Sequence, residues 1–190
     1  MEEAAYEGGE VGDVTFEEAI GYLRTDELIG GLLEEHGVGD EDIMAAMEDM
    51  SHKAHVKREN YRKAYDNFDV NKVAKYDEKK ILELLQDAGI VRNKLKVRSS
   101  VKNAKAFLEI QKEFGSFDKY LWGFVDGKPI KNGFKKVEEI PAKTELSDKV
   151  SKDLKKRGMS FVGSTIIYAM MQAIGMVNDH QVDCFRYSQV

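Results

Sequence analysis

Cysteine is almost absent from this chain. Its 190 residues include one, Cys184, so no internal disulfide can form and a disulfide-stapled secreted scaffold is excluded. A lone thiol fits a reducing compartment, and the expected location is the cytoplasm. Proline is nearly as scarce, at two residues, Pro129 and Pro141, which argues against proline-rich linkers and leaves long helices uninterrupted. No apolar run is long enough to cross a bilayer, which takes about 20 residues. The acidic start does not resemble a signal peptide. Basic residues are missing from the first quarter: residues 1–50 hold 16 acidic side chains and one basic side chain, Arg24, for a net −15. The other 18 acidic and 28 basic side chains lie in 51–190, for a net +10. The overall charge of −5 therefore hides an acidic segment attached to a basic body. A basic body is compatible with nucleic-acid binding.

Lys, Glu, Ala, Leu and Met are plentiful, and all are good helix formers. Met1 to Asp13 has no periodicity and reads as frayed. Short amphipathic helices are expected from Thr15, from Thr25 to His36, and after Gly39-Asp40, where Ile43, Met44, Met47 and Met50 share a face. From Ser51 the composition turns basic. Tyr61, Ala64, Tyr65 and Phe68 have helical spacing. Asp77 opens an amphipathic helix that Asp87-Ala88-Gly89 closes. Lys94 to Glu113 reads as a long basic helix with an apolar stripe, and Phe117 to Val125 as a buried helix. Residues 130–146 lack periodicity and read as an irregular loop, and Ser147 is the expected cap of the helix that follows. No segment alternates strictly enough for a strand. The expected fold is all-α, with two parts: an atypical acidic segment at 1–50 and a helical body at 51–190.

The most informative stretch is Leu154 to Gln172, LKKRGMSFVGSTIIYAMMQ. A polar helix carrying Lys155, Lys156 and Arg157 meets Gly158, which can take the left-handed conformation that stops a helix. Gly163 is expected to give a second bend, and Ser164 and Thr165 to cap the apolar helix beyond it. Free N–H groups at that helix start, beside a glycine and basic side chains, describe a seat for a phosphate of a nucleic-acid backbone. Two glycines in a turn and a solvated Lys/Arg face are the plainer account of the same residues.

Several stretches carry a family resemblance. They are KRENY (57–61), LLQDAGIVRNKLK (84–96), YLWGFVDGKP (120–129), LSDKVSKDLKKRGMSFVGSTIIY (146–168) and GMVNDHQVDC (175–184). In this order, over 57–187, the chain resembles the DNA-3-methyladenine glycosylase I family of the helix-hairpin-helix DNA glycosylase superfamily. The resemblance implies an all-α fold, a monomer, and a hairpin at Gly158–Thr165 that grips the backbone of double-stranded DNA. It also implies base flipping and hydrolysis of the N-glycosidic bond of an alkylated base, as in base excision repair.

The first third departs from that family. Its opening Arg-Cys-Gly-Trp and Tyr-His-Asp-x-Glu-Trp-Gly motifs have no counterpart. The base-reading segment, Leu-Glu-Gly-x-Gln-Ala-Gly-Leu-Ser-Trp, falls without gaps on Asp42 to Ser51. Ile43 then stands at the base-contacting glutamate, Ser51 at the pocket tryptophan and Asp49 at the wedging leucine. A gap would bring Glu48 forward as the catalytic candidate. His180 and Cys184, four residues apart, match half of the family's structural zinc site; the N-terminal cysteine of the other half is missing, and His36, His52 and His55 lie outside the family's motifs. Two functions follow: a glycosylase for 3-methyladenine or a similar base, or a non-enzymatic DNA- or protein-binding module on a glycosylase scaffold, recombined or engineered in its first third. A third reading has the acidic segment lying over the basic face and inhibiting it.

Overall fold

The structure, a computed structural model, describes residues 57–189. The helices expected before Ser51, together with Ile43, Glu48, Asp49 and Ser51, lie outside that range. Helix α1 covers 57–64. It turns Tyr61 and Tyr65 into the core one helical turn apart, and Phe68 stacks on Tyr65 at a ring-centroid distance of 5.9 Å. Helix α2 (Val70–Val73) is capped by Asp69, and α3 (Glu78–Gln86) by Asp77. In both cases a short carboxylate accepts first-turn N–H groups, which is why Asp opens these helices.

Helix α4 (Lys94–Phe114) is the spine. Asn93 caps it by accepting from the N–H groups of Leu95 and Lys96, and Gly115 ends it at φ +88°. Its buried face runs through Val97, Val101, Ala104, Phe107 and Ile110, a spacing of three and four residues that faces one side of a helix. Helices α2, α3 and α5 (Phe117–Trp122) all pack on it. Phe107 and Phe117 stack at 4.3 Å between centroids. Burying each such side chain contributes about 1.5–3 kcal/mol.

Helices α6 (Glu145–Lys156) and α7 (Ser164–Ala173) form the second layer and pack on each other. Leu154, Ile167 and Met171 are fully buried and join the core that Phe107 and Leu121 anchor.

Two expectations need correction. Residues 130–146 are not simply irregular. They hold β1 (Ile130–Lys131), a 3₁₀ turn at Val137–Glu139 and the start of α6. Strand β1 pairs in parallel with β2 (Val177–Asn178), Ile130 opposite Val177. Two-residue strands are too short to show alternation, so the sequence offered no signal. The fold remains mostly helical. Secondly, the cap of α6 is Thr144, not Ser147. Thr144 Oγ1 accepts the Ser147 N–H at 3.1 Å, and Ser147 Oγ accepts the Thr144 N–H at 2.9 Å. This is a reciprocal capping box with Ser147 at its third position.

Candidate nucleic-acid interface

The hairpin between α6 and α7 brings the basic residues of the sequence reading to one end of the helical layer. Gly158 takes φ +97° and closes α6, its N–H donating to the Lys155 carbonyl at 3.0 Å. The Met159 N–H then donates to the Leu154 carbonyl. Met159 and Val162 point inward and are buried, so the turn is pinned to the core at two places. Lys155 and Lys156 are exposed at the end of α6.

Gly163 and Ser164 do less than expected as turn and cap. Gly163 sits at φ −65°, ψ 154°, an extended conformation open to any residue, and space lies open where its Cβ would be. The bend lies at Phe161 instead, at φ +60°. Gly163 itself is the N-cap of α7, with no side-chain cap bond. Ser164 Oγ shares a 2.7 Å hydrogen bond with Ser147 Oγ of α6, and Thr165 is exposed. With no hydroxyl folded over them, the first-turn N–H groups of α7 stay open, and a glycine at their edge leaves room for close approach.

Serines along α6 allow the two helices to meet closely. Ser147 and Ser151 are buried, and Ser151 Oγ donates to the Val162 carbonyl at 2.6 Å. On the other side, Asn103 of α4 holds Ser160: its Nδ2 donates to the Ser160 carbonyl at 2.9 Å and its Oδ1 accepts the Ser160 N–H at 2.8 Å. The sequence reading missed Asn103. The signal was there, as a polar residue inside the apolar stripe of α4, where an unpaired amide would be costly.

Arg157 is turned away from the hairpin tip. Its Nε donates to Asp153 at 2.7 Å and its Nη1 to Glu113 at 2.6 Å. The guanidinium lies 4.8 Å from the Phe114 ring centroid and 5.1 Å from that of Tyr120, a cation–π contact with two rings that also touch each other. Tyr120 donates to Asp153 at 2.8 Å. Hydrogen bonds from Arg157 hold Glu113 below its ordinary pKa. Burial opposes ionisation of Asp153, but the bonds from Arg157 and Tyr120 prevail and its pKa is lowered. Burial, then the bond to Asp153, push the Tyr120 hydroxyl up. Arg157 thus braces α6 against α4.

His180 and Cys184 also come together, with Cys184 Sγ 3.6 Å from His180 Nδ1. They do so on consecutive turns after β2 and not on a helix. Zinc bonds of about 2.0–2.1 Å to nitrogen and 2.3 Å to sulfur, at a tetrahedral angle, place the two ligand atoms about 3.6 Å apart. The pair therefore fits half of a zinc site. Asn178 Oδ1 accepts the His180 N–H at 3.1 Å. Asp179 is buried between them in the chain and accepts from Tyr168, Gln172 and Asn132, tying α7 to the end of β2. Among the described residues no cluster of three or more His, Cys, Asp or Glu could hold a metal, so the remaining ligands would have to come from outside them. No helix among these residues is long and apolar enough to cross a membrane.

A left-handed glycine, a short pinned turn and a second helix with an open N-terminus, set in a mostly helical body, make this a helix-hairpin-helix protein. A family model of methyladenine glycosylases matches residues 46–187, and the chain belongs to that family. DNA-3-methyladenine glycosylase 1 of Escherichia coli (strain K12) is 45% identical over 131 residues, covering 69% of this chain and 70% of that one. DNA-3-methyladenine glycosylase of Haemophilus influenzae is 44% identical over 128 residues, covering 67% and 69%. A crystal structure of a 3-methyladenine DNA glycosylase I variant in complex with 3-methyladenine superposes with a TM-score of 0.67 at 30% identity, over 70% of this chain and 72% of that one.

Proposed function

We propose that this chain is a DNA-3-methyladenine glycosylase of base excision repair, which binds duplex DNA through the α6–α7 hairpin and hydrolyses the N-glycosidic bond of an alkylated base. Family membership and relatives named for that activity support the reaction. The observation that carries the DNA partner is the hairpin: an uncapped helix start at Gly163, on a turn that also joins it to the exposed Lys155 and Lys156 at the end of α6. On this reading a phosphate sits against the N–H groups of Ser164 and Thr165, and Lys155 and Lys156 add charge attraction. Such contact fixes position on the strand without reading sequence. The protein acts as a monomer in the cytoplasm, with the acidic 1–50 segment joined to a helical body at 51–190. Where zinc is present, His180 and Cys184 hold it, and it supplies structural stability.

The base pocket is the weak part. A flipped purine needs aromatic faces to stack on and a placed polar group to read its edge. On a gap-free placement, Ile43 and Ser51 stand where the family has glutamate and tryptophan, and Asp49 sets a negative charge where it has an apolar wedge. Each lost contact costs about 1–3 kcal/mol, so several together slow turnover by on the order of thousands-fold at about 1.4 kcal/mol per tenfold. The test is release of 3-methyladenine from alkylated duplex DNA beside an ordinary family member. Slow release that Glu48→Gln abolishes supports the enzyme with Glu48 in the pocket. DNA binding with no release supports the non-enzymatic module. Turnover equal to the ordinary member would show that other residues rebuild the pocket.

A further inference from the structure

The apex of the hairpin carries a residue that the turn itself does not require. Phe161 sits at φ +60°, where residues other than glycine and asparagine are disfavoured, and its side chain is 39% exposed. A turn that only had to reverse the chain would take glycine there, as it does three residues earlier at Gly158. The core does not need the ring either, since Met159 and Val162 on either side supply the buried anchors. The flanks leave Phe161 little freedom. Asn103 holds both backbone groups of Ser160, and Ser151 holds the Val162 carbonyl. The backbone is thus fixed in an unfavourable conformation that keeps an aromatic ring in water.

The surroundings of the ring are cationic. Lys96 Nζ lies 5.6 Å from its centroid, and Lys102 Nζ lies 3.5 Å from Ser160 Oγ. Lys96 and Asn103 are two helical turns apart, so they share the face of α4 turned to the hairpin. Gly163 follows two residues after Phe161, a span of at most about 7 Å. Along one DNA strand each nucleotide rises about 3.4 Å, so the ring and the phosphate seat lie within one or two nucleotides of each other.

We propose that Phe161, flanked by Lys96 and Lys102, is a second grip on DNA, its ring packing on the deoxyribose next to the phosphate seated at the start of α7. The inference rests on the duplex-DNA reading of the hairpin. It adds an apolar, salt-independent contact to an electrostatic one, with the two lysines facing neighbouring phosphates of the same strand.

The experiment is a salt titration of binding to a short DNA duplex carrying an abasic-site analogue. Phe161→Ser is expected to weaken binding roughly five- to tenfold at every salt concentration, with the salt slope unchanged. Phe161→Trp keeps the affinity. Phe161→Gly relieves the backbone and raises the melting temperature, yet binds as poorly as Phe161→Ser. Lys96→Gln lowers the salt slope by about one. Binding by Phe161→Ser or Phe161→Gly within about twofold of the native chain overturns the proposal, and if Gly163→Glu still abolishes binding, the hairpin reading survives. Failure of the native chain to bind this duplex at any salt concentration overturns both.

Discussion

Asn103 grips Ser160 by both of its backbone groups, one bond of 2.9 Å and one of 2.8 Å from a single buried amide. The two residues lie 57 apart in sequence, on the spine helix and on the hairpin. An amide group matches a peptide group donor to acceptor and acceptor to donor, so no other side chain of this size but an amide can do both. Asn103→Ala leaves two backbone groups unmatched in a part-buried place and is expected to cost about 1–3 kcal/mol. Asn103→Asp keeps the acceptor and loses the donor, so it should fall between. Thermal unfolding and duplex binding measured together check this. Both should fall in the order Asn, Asp, Ala, and equal melting of all three proteins would remove the clamp from the account.

The two hairpin glycines are expected to behave oppositely. Gly158 is at φ +97° with space around it, so Gly158→Ala meets backbone strain of about 1–2 kcal/mol and no clash. Gly163 is at an ordinary φ with nothing within 4 Å of its missing Cβ. Gly163→Glu should therefore leave the melting temperature nearly unchanged, yet abolish duplex binding by blocking the helix start and adding negative charge beside phosphate. Non-specific binding of such surfaces is about 10⁻⁴ to 10⁻⁶ M at physiological salt and falls steeply as salt rises. Binding by Gly163→Glu with native affinity would remove the phosphate seat.

Much of the architecture could be read from local signals. Asp77 before an amphipathic run, and the apolar stripe from Val97 to Ile110, located α3 and α4 because caps and periodicity are written in neighbouring residues. Gly158 as a helix stop was legible for the same reason. What the sequence hid depends on partners far along the chain. Arg157 looked like one more base on a basic helix, until Glu113, brought near by the packing of α4, claimed its guanidinium. Ser164 looked like a cap until Ser147 engaged its hydroxyl. Phe161 carried no local signal, and only its left-handed backbone and exposure set it apart. Strands β1 and β2 have two residues each and are defined by their pairing alone.

The Arg157 brace should make stability depend on acid in a defined direction. Glu113 and Asp153 both have pKa values lowered from ordinary values of 4.5 and 3.8. A lowered carboxylate pKa contributes stability that is fully present above the ordinary value and lost as pH falls through the lowered one. The native protein should therefore begin to lose this contribution as pH falls below 4.5 for Glu113 and 3.8 for Asp153. Glu113 is largely solvated and Asp153 only part-buried, so the effect is modest. Arg157→Met keeps much of the stacking on Phe114 and Tyr120 and removes the charge. Its melting temperature should lie below the native one at neutral pH, and the gap should narrow as pH falls. Two melting curves that stay parallel from neutral to acid would show that the ion pairs contribute nothing.

The contact between Cys184 and His180 has two chemical readings with different consequences. A separation of 3.6 Å suits a thiol and an imidazole meeting directly, and it equally suits two ligands on neighbouring corners of a zinc tetrahedron. In the first case the pair is a weak local contact on a surface turn, and Cys184→Ser should leave the melting temperature within experimental error. In the second the thiolate and the neutral imidazole are both metal ligands, and zinc binding is part of the folding free energy. Two further ligands are then drawn from residues before 57, where His36, His52 and His55 are the only other histidines of the chain. Zinc would tie that first segment to the turns after β2, so losing it should loosen both. The expected outcome for a zinc-bound chain is one zinc per protein by elemental analysis, a lower melting temperature on adding a strong chelator, and loss of both metal and chelator sensitivity in Cys184→Ser. His180→Ala should reproduce the loss, because a tetrahedral site short of either ligand is open to solvent. Purified native protein without stoichiometric zinc would settle the matter for the thiol–imidazole contact.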